Sequence, residues 1–318
     1  MSSEIRAAAA ALLSGRLVGM PTETVYGLAA LATDADAVVR IFSAKGRPSF
    51  DPLIVHVADV DQAWTVAEPT PRARLLAAAC WPGPLTLILR RRACIPDAVT
   101  SGLDTVGVRV PAHPLALALI RASGPLAAPS ANPFGRISPT TAAHVREQLG
   151  DAVTTVVDGG PCAVGIESTV LCPDPRPLIL RPGGLSRERL EELLGEPVAV
   201  ADRVQRAGSL ALPAAGLQAP GMLASHYAPR CPLMLKKGPW PTDPALGLLA
   251  FTGGDLPPAR RVEVLSQAGD LAEAARELFA ALRRLDAAGV PGIVAELVPA
   301  TGLGLGINDR LVRAAGLG

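Results

Sequence analysis

Lysine, asparagine and tyrosine are scarce in this chain of 318 residues. Of its 30 basic residues only Lys45, Lys236 and Lys237 are lysines; asparagine stands at Asn132 and Asn308, tyrosine at Tyr26 and Tyr227. Aromatic residues make up 3% and the net charge is +1, which weighs against a nucleic-acid coat but not against a local basic cavity. No apolar run reaches roughly 18 residues, so no helical membrane span is expected despite a mean hydropathy of +0.32. The cysteines (Cys80, Cys94, Cys162, Cys172, Cys231) lack paired spacing. That argues against a zinc site or a disulfide framework and makes a reducing cytoplasm the simple expectation. The first residues carry Glu4 and lead into an amphipathic Ala/Leu stretch, unlike a signal peptide. There is no GxxxxGK-S/T loop, no HExxH pair and no Ser/His/Asp elbow, and Gly302–Gly306 does not form GxGxxG.

Apolar residues are 49% and charged residues 19%, enough for an ordinary core, and the length suits about two domains. Hydrophobic spacing and capping signals predict helices over Glu4–Leu13, Ala35–Ala44, Pro71–Cys80, Pro114–Ala122, Thr140–Leu149 and Ser186–Leu194. Short strands are expected at Leu17–Met20, Leu53–Val57, Leu85–Leu89, Thr105–Val110, Leu126–Ala128, Thr154–Val157, Ser168–Leu171 and Leu178–Leu180. Helices alternate with strands early and strands crowd together later. The expected fold is therefore α/β, a twisted, partly antiparallel mixed sheet with flanking helices. From Ala201 to Pro232 the periodicity fails, which reads as a linker, though it carries His226-Tyr227-Ala228-Pro229. A small α/β unit follows, with strands near Leu233–Leu235, Gly247–Phe251, Val262–Leu265 and Ile293–Glu296 and helices near Leu271–Ala287 and Ile307–Ala315.

Several stretches carry chemistry. In Pro21-Thr-Glu-Thr-Val-Tyr-Gly-Leu28, extended backbone would turn Thr22, Thr24 and Tyr26 to one face, as a substrate wall or as an ordinary strand end. In Lys45-Gly-Arg-Pro48, the proline biases Arg47 toward extended geometry, so two cations point one way. They suit a triphosphate or a carboxylate, or simply offset a helix dipole. Ser130 and Asn132 end a strand, and Ser138, Pro139 and Thr140 lead into a helix, where hydroxyls and free N–H groups can cap the helix or bind an anion. Arg109 and Arg181 are charges at strand positions, and Ser168-Thr169 opens a strand with hydroxyls. His56 in its apolar strand reads most simply as a satisfied core histidine.

Taken in order, Pro21–Leu28, Lys45–Pro48, Pro52-Leu-Ile-Val-His56, Ser130-Ala-Asn132 with Ser138-Pro-Thr-Thr141, and Glu167-Ser-Thr-Val170 resemble the YrdC-like domain of threonylcarbamoyl-AMP synthases. The linker around Ala219-Pro-Gly-Met and His226–Pro229, and Gly302-Leu-Gly-Leu-Gly-Ile-Asn-Asp-Arg-Leu311, resemble the family's long, two-domain form. The resemblance implies a twisted sheet around a basic concave cavity over residues 1–205, a linker reaching over the site at 206–232, and a small Rossmann-like domain at 233–318. It implies a nucleotidyltransferase: L-threonine, bicarbonate and ATP give threonylcarbamoyl-AMP and pyrophosphate. The product would pass to the machinery that modifies tRNA beside the anticodon; direct tRNA contact stays open. By position, Lys45, Arg47, Ser130, Ser138 and Arg181, with Thr105, match nucleotide contacts, and Tyr227 matches a linker tyrosine over the nucleotide. Lys45 and Arg47 would act on the reacting phosphates. Thr24, His56, Arg109 and Ser168, with Ala128 nearby, match the threonine pocket. Mg²⁺ would arrive with ATP, with no metal site of the protein's own. Asp51 stands where the family has asparagine, an acid that would repel phosphate unless it pairs with Arg47 or helps hold Mg²⁺.

Two other readings compete. A carbamoyltransferase of hydrogenase maturation also carries a YrdC-like domain, but would need an acylphosphatase-like region and cysteine-rich zinc fingers. A non-catalytic RNA-binding module would need stacking aromatics and net positive charge.

Overall fold

The computed structural model describes residues 2–201 and 226–317. Most of the expected linker, 206–232, therefore falls outside the described residues. In chain order the first unit comprises α1 (Ser3–Leu13), β1 (Val18–Met20), β2 (Gly27–Leu31), α2 (Ala35–Lys45), β3 (Ile54–His56), α3 (Val60–Val66), β4 (Ala67–Glu68), α4 (Pro71–Cys80), β5 (Leu85–Arg91), α5 (Asp97–Thr100), β6 (Thr105–Arg109), α6 (Pro114–Ser123), β7 (Leu126–Ala127), α7 (Ala142–Leu149), β8 (Thr155–Val156), β9 (Thr169–Cys172), β10 (Leu178–Arg181), α8 (Arg187–Leu194) and β11 (Ala199–Val200). The second unit has β12 (Leu233–Leu235), β13 (Gly247–Ala250), β14 (Arg261–Val264), α9 (Leu271–Ala287), β15 (Ile293–Ala295) and α10 (Gly304–Ala314).

The first unit is a mixed sheet in the order β11-β10-β9-β5-β6-β3-β7-β2-β1-β8, with β4 beside β5. β3 and β6 run parallel, whereas β5–β6, β9–β10 and β2–β7 are antiparallel. This is the mixed α/β sheet expected from the sequence. The second sheet, β12-β15-β13-β14, is parallel throughout, and β13 and β15 are fully buried along their lengths, as parallel strands covered by helices must be.

Local chemistry explains most boundaries. Asp34 caps α2 by accepting from the Ala37 N–H, and Gly46 ends it in the left-handed region (φ 59°), turning the chain sharply into Arg47. Ser186 caps α8 and Gly195 closes it, as its sequence predicts. Two expectations fail. Helix α7 starts at Ala142 and is capped by Thr141, not by Ser138 or Thr140, whose side chains are engaged elsewhere. Residues Pro21–Tyr26 are also not extended. The Thr22 hydroxyl donates to the Val25 carbonyl (2.5 Å) and receives the Thr24 N–H, folding the segment into a turn. Tyr26 consequently points away from Thr24. Its hydroxyl donates to the Gly160 carbonyl at 2.8 Å and accepts from the Gly159 N–H at 3.0 Å.

The core of the second unit includes Leu278, Phe279, Leu282, Ile307 and Leu311 and extends to Val25, Ile137 and Ile166 of the first. The two units thus share apolar burial behind the segment that carries Thr24, which fixes the second unit against one wall of the site.

Candidate active site

Strand register builds the first half of the site. β3 and β6 pair His56 with Arg109, so both side chains emerge at the same level of the sheet. The Arg109 guanidinium lies in a bed of acceptors: Nη1 donates to Thr24 Oγ1 at 2.9 Å, Nε to the Gly83 carbonyl at 3.1 Å, and Nη2 stands 2.6 Å from Glu23 Oε1. Burial and the Arg109 charge push the His56 imidazole down to about 3, so the ring is neutral at physiological pH. Its Nδ1 is buried without a partner among the described residues. Ser168 lies at the mouth of β9, and its hydroxyl shares a hydrogen bond with Thr86 (2.8 Å) while the Arg181 Nη2 donates to its carbonyl at 3.0 Å.

The second half is cationic. Arg47 donates from Nε to the Asp51 carbonyl and from Nη2 to the Pro52 carbonyl, and Nη2 also lies 2.9 Å from Asp51 Oδ2. Lys45 is buried, and its Nζ donates to the carbonyls of Ser130 and Asn132, each at 2.5 Å. Burial, with Arg47 nearby, holds the Lys45 amine well below its usual range, while Asp51 and Glu167 pull it back up. Ser138 donates to Glu167 Oε1 at 2.5 Å.

These side chains surround a cavity of about 40 Å³. It is lined by Thr24, Arg47, His56, Arg109, Ala128, Ser130, Ser168, Arg181 and Tyr227 among the residues expected from the sequence. Lys45, Asp51, Thr105 and Ser138 do not reach its wall. Lys45 braces the 130–132 loop from beneath, Asp51 neutralises Arg47, Thr105 pairs with Arg90 at the far end of β6, and Ser138 stands behind Glu167. Asp51 therefore takes the first of its two expected roles, pairing with Arg47.

Thr22, expected on the substrate wall, lines the cavity, and so do Val25, Glu167 and His226, to which sequence reasoning gave no site role. Glu167 was visible in its motif, but its partner Arg310 is 143 residues away, so no local spacing announces the pair. His226 and Tyr227 enter together. Their rings meet edge-on at 4.2 Å, Tyr227 adopts φ 64°, and both side chains are buried. Among the described residues the Tyr227 hydroxyl has no hydrogen-bond partner, and burial raises its pKa.

A mixed α/β sheet that carries a cavity lined by an uncharged imidazole, His56, and three guanidiniums, Arg47, Arg109 and Arg181, matches the class that the YrdC-like resemblance implies. The family profile described as "Telomere recombination" matches residues 10–183, and the one described as "Threonylcarbamoyl-AMP synthase, C-terminal domain" matches residues 185–316. A threonylcarbamoyl-AMP synthase of Bacillus subtilis is 44% identical, covering 98% of this chain and 93% of that protein. One of Pyrococcus abyssi is 41% identical, covering 98% and 94%. The crystal structure of P. abyssi Sua5 with L-threonine superposes with a TM-score of 0.89 at 41% identity, covering 100% of this chain and 96% of that one. The chain belongs to the threonylcarbamoyl-AMP synthase family, in its long, two-domain form.

Proposed function

We propose that this chain is an L-threonylcarbamoyladenylate synthase that uses L-threonine, bicarbonate and ATP. One observation carries the reading: groups suited to an amino acid (Thr24, His56, Arg109, Ser168, with Ala128) and groups suited to a polyphosphate (Arg47, Ser130, Arg181) face the same small cavity. The threonine-bound relative supports the first set.

The threonine amine and bicarbonate condense to a carbamate with loss of water. A carbamate oxygen attacks the α-phosphorus of ATP, and the bond to the β-phosphate bridging oxygen breaks, releasing pyrophosphate. Arg109 holds the amino-acid side in place, and a neutral His56 offers a polar contact without drawing in phosphate. Arg47 and Arg181, with Lys45 behind the loop that carries Ser130, stabilise charge on the leaving pyrophosphate. No acid–base pair is required; orientation and charge stabilisation supply the rate. Asp51 lowers the net charge beside Arg47 without leaving a free anion facing the nucleotide.

A cavity of about 40 Å³ holds a few waters and not a triphosphate. ATP entry therefore requires His226 and Tyr227 to shift, consistent with Tyr227 as a residue that closes over the nucleotide. Among the described residues no cluster of three His, Cys, Asp or Glu side chains is placed to hold a metal, and Asp51 is committed to Arg47. Mg²⁺ would thus be held by phosphate oxygens and water, where it would neutralise polyphosphate charge. The product is a reactive mixed anhydride, which suits prompt hand-off to a tRNA-modifying transferase in the cytoplasm. No helix among the described residues is long and apolar enough to cross a membrane.

The test supplies ATP, L-threonine and labelled bicarbonate. The expected result is stoichiometric pyrophosphate and a labelled adenylate. Release of pyrophosphate independent of threonine, or no adenylate at all, overturns the reading.

A further inference from the structure

Arg310 is completely buried, at 0% exposure, although it belongs to α10 of the second unit. Its side chain leaves that unit. Nε donates to Glu167 Oε2 at 3.0 Å, and Nη1 donates to the Pro182 carbonyl. Glu167 turns its other oxygen to Ser138, whose hydroxyl donates to it at 2.5 Å. The guanidinium carbon also lies 5.3 Å from the centre of the Tyr227 ring. A single cation thus ties together, directly or through one carboxylate, the segments around 138, 167, 182 and 227. Asp309 steadies it from the same helix, with Oδ2 3.3 Å from Arg310 Nη1 and 3.1 Å from Arg313 Nε.

The backbone is shaped for this reach. A Cβ on Gly306 would stand 3.0 Å from Ile166 Cδ1 and 3.1 Å from Gly183 Cα. One on Gly183 would stand 2.3 Å from the Glu167 carbonyl oxygen, and one on Gly165 would stand 2.3 Å from Arg276 Cα on α9. Helices α9 and α10 therefore lie on bare backbone of the segments that carry Glu167, Ser168 and Arg181. The Gly302–Gly306 run, which is no dinucleotide fingerprint, finds its use here as close packing.

We propose that Arg310 is a positioning residue of the synthase reaction, through which the second unit holds Glu167, Ser138 and the Tyr227 ring in the geometry that the nucleotide requires. The proposal rests on the reading of the site as an ATP site with Ser138 and Arg181 on its phosphate side. Without Arg310, Glu167 becomes a buried anion without its counter-ion beside incoming phosphates, and Ser138 loses a fixed acceptor. The threonine side should be less affected, because Arg109 takes its polar partners from Thr24, Glu23 and Gly83, while the second unit meets the Thr24 segment through apolar packing at Val25, which Arg310→Met leaves in place.

The experiment uses the full chain. Pyrophosphate release is measured with ATP varied at saturating threonine and with threonine varied at saturating ATP, for the wild type, Arg310→Met and Arg310→Met with Glu167→Gln. Arg310→Met should lower kcat/KM for ATP by about 10²-fold, the scale of a misplaced contact, and leave the threonine KM within about twofold. Adding Glu167→Gln should restore at least about tenfold of that loss, because it removes the uncompensated charge. A merely structural role predicts equal loss for both substrates and no rescue, and either that outcome or unaltered kinetics overturns the proposal. Should Arg310→Met fail to fold, Arg310→Lys serves: it keeps the charge but cannot reach Glu167 and Pro182 at once, and an ATP-selective loss is again expected. An unselective or absent effect overturns the proposal. Binding of a non-hydrolysable ATP analogue, read by calorimetry on the same proteins, reports on Arg310 even if the wild type makes no adenylate, so failure of the functional reading is distinguishable.

Discussion

The two sides of the cavity are built differently. The side proposed for threonine is made by adjacent strands and the turn before them: the β3–β6 register delivers His56 and Arg109, and the Thr22 turn delivers Thr24. The side proposed for the nucleotide is assembled from segments far apart in sequence, with Arg47 after α2, Glu167 and Arg181 around β9 and β10, His226 and Tyr227 after residue 225, and Arg310 from α10. Sheet register is set by many backbone hydrogen bonds at once, so the first side is prebuilt. The second side depends on how the two units dock and on His226 and Tyr227, which stand in the way of a nucleotide on the proposed reading. On that reading the small substrate meets a wall set by strand register and the large one meets segments brought together by docking.

The largest expected effect tests the prebuilt side. Arg109 and Glu23 form a buried ion pair at 2.6 Å. Removing one partner leaves a buried charge, so Arg109→Met should destabilise the protein by about 3–5 kcal/mol in urea denaturation, with part of that recovered on adding Glu23→Gln. If Arg109→Met is as stable as the wild type, the threonine wall is not held by this pair and the two sides are less different than their construction suggests.

The sequence made the sheet, the second α/β unit and most helix ends legible, because those are local: Asp34, Ser186, Gly46 and Gly195 announce their caps by type and position. It also supplied the residues that ring the cavity, mainly through ordered motifs, because single residues left strand ends and anion sites equally open. What it could not give was the outcome of competing local bonds and of contacts far apart in sequence. The Thr22 side chain competes with strand pairing and wins, which turns Tyr26 out of the site toward Gly159 and Gly160. Thr141 outcompetes its neighbours as the cap of α7 because Ser138 is claimed by Glu167 and Thr140 faces His144. Periodicity also treated His56 as an ordinary core residue. Its environment, an arginine in register on the next strand and no partner for Nδ1 among the described residues, exists only once the sheet is formed.

That histidine gives a smaller, pH-dependent effect on the same side. Its folded pKa lies at about 3, against 6.5 when free, because burial and Arg109 disfavour the imidazolium. Between those values the unfolded chain binds a proton that the folded protein refuses, so stability is lost as pH falls from about 6.5 toward 3. His144, pushed down to about 4, and His226, held well below its ordinary value by burial and nearby arginines, act with the same sign. His56→Leu should therefore flatten the slope of unfolding free energy against pH in that window by up to about 1.4 kcal/mol per unit. An unchanged slope would mean that His56 titrates normally and that the threonine side is wetter than its burial indicates.

The smallest expected effect tests the movable side. The Tyr227 ring is 1% exposed, packs against Phe279 at 5.7 Å and lies under Arg310, yet its hydroxyl has no hydrogen-bond partner among the described residues. A buried hydroxyl without a partner costs stability, whereas its ring contributes packing that phenylalanine keeps. Tyr227→Phe should thus leave the substrate-free protein as stable as before or more stable by about 1 kcal/mol, measured by urea denaturation. Tyr227→Ala should destabilise it, because the ring contacts are lost. The contrast separates two ways of filling a cavity. If the phenylalanine variant is clearly less stable, the hydroxyl has a partner in the folded protein, and Tyr227 is anchored in place like Arg109 instead of waiting for the nucleotide to supply its hydrogen bond.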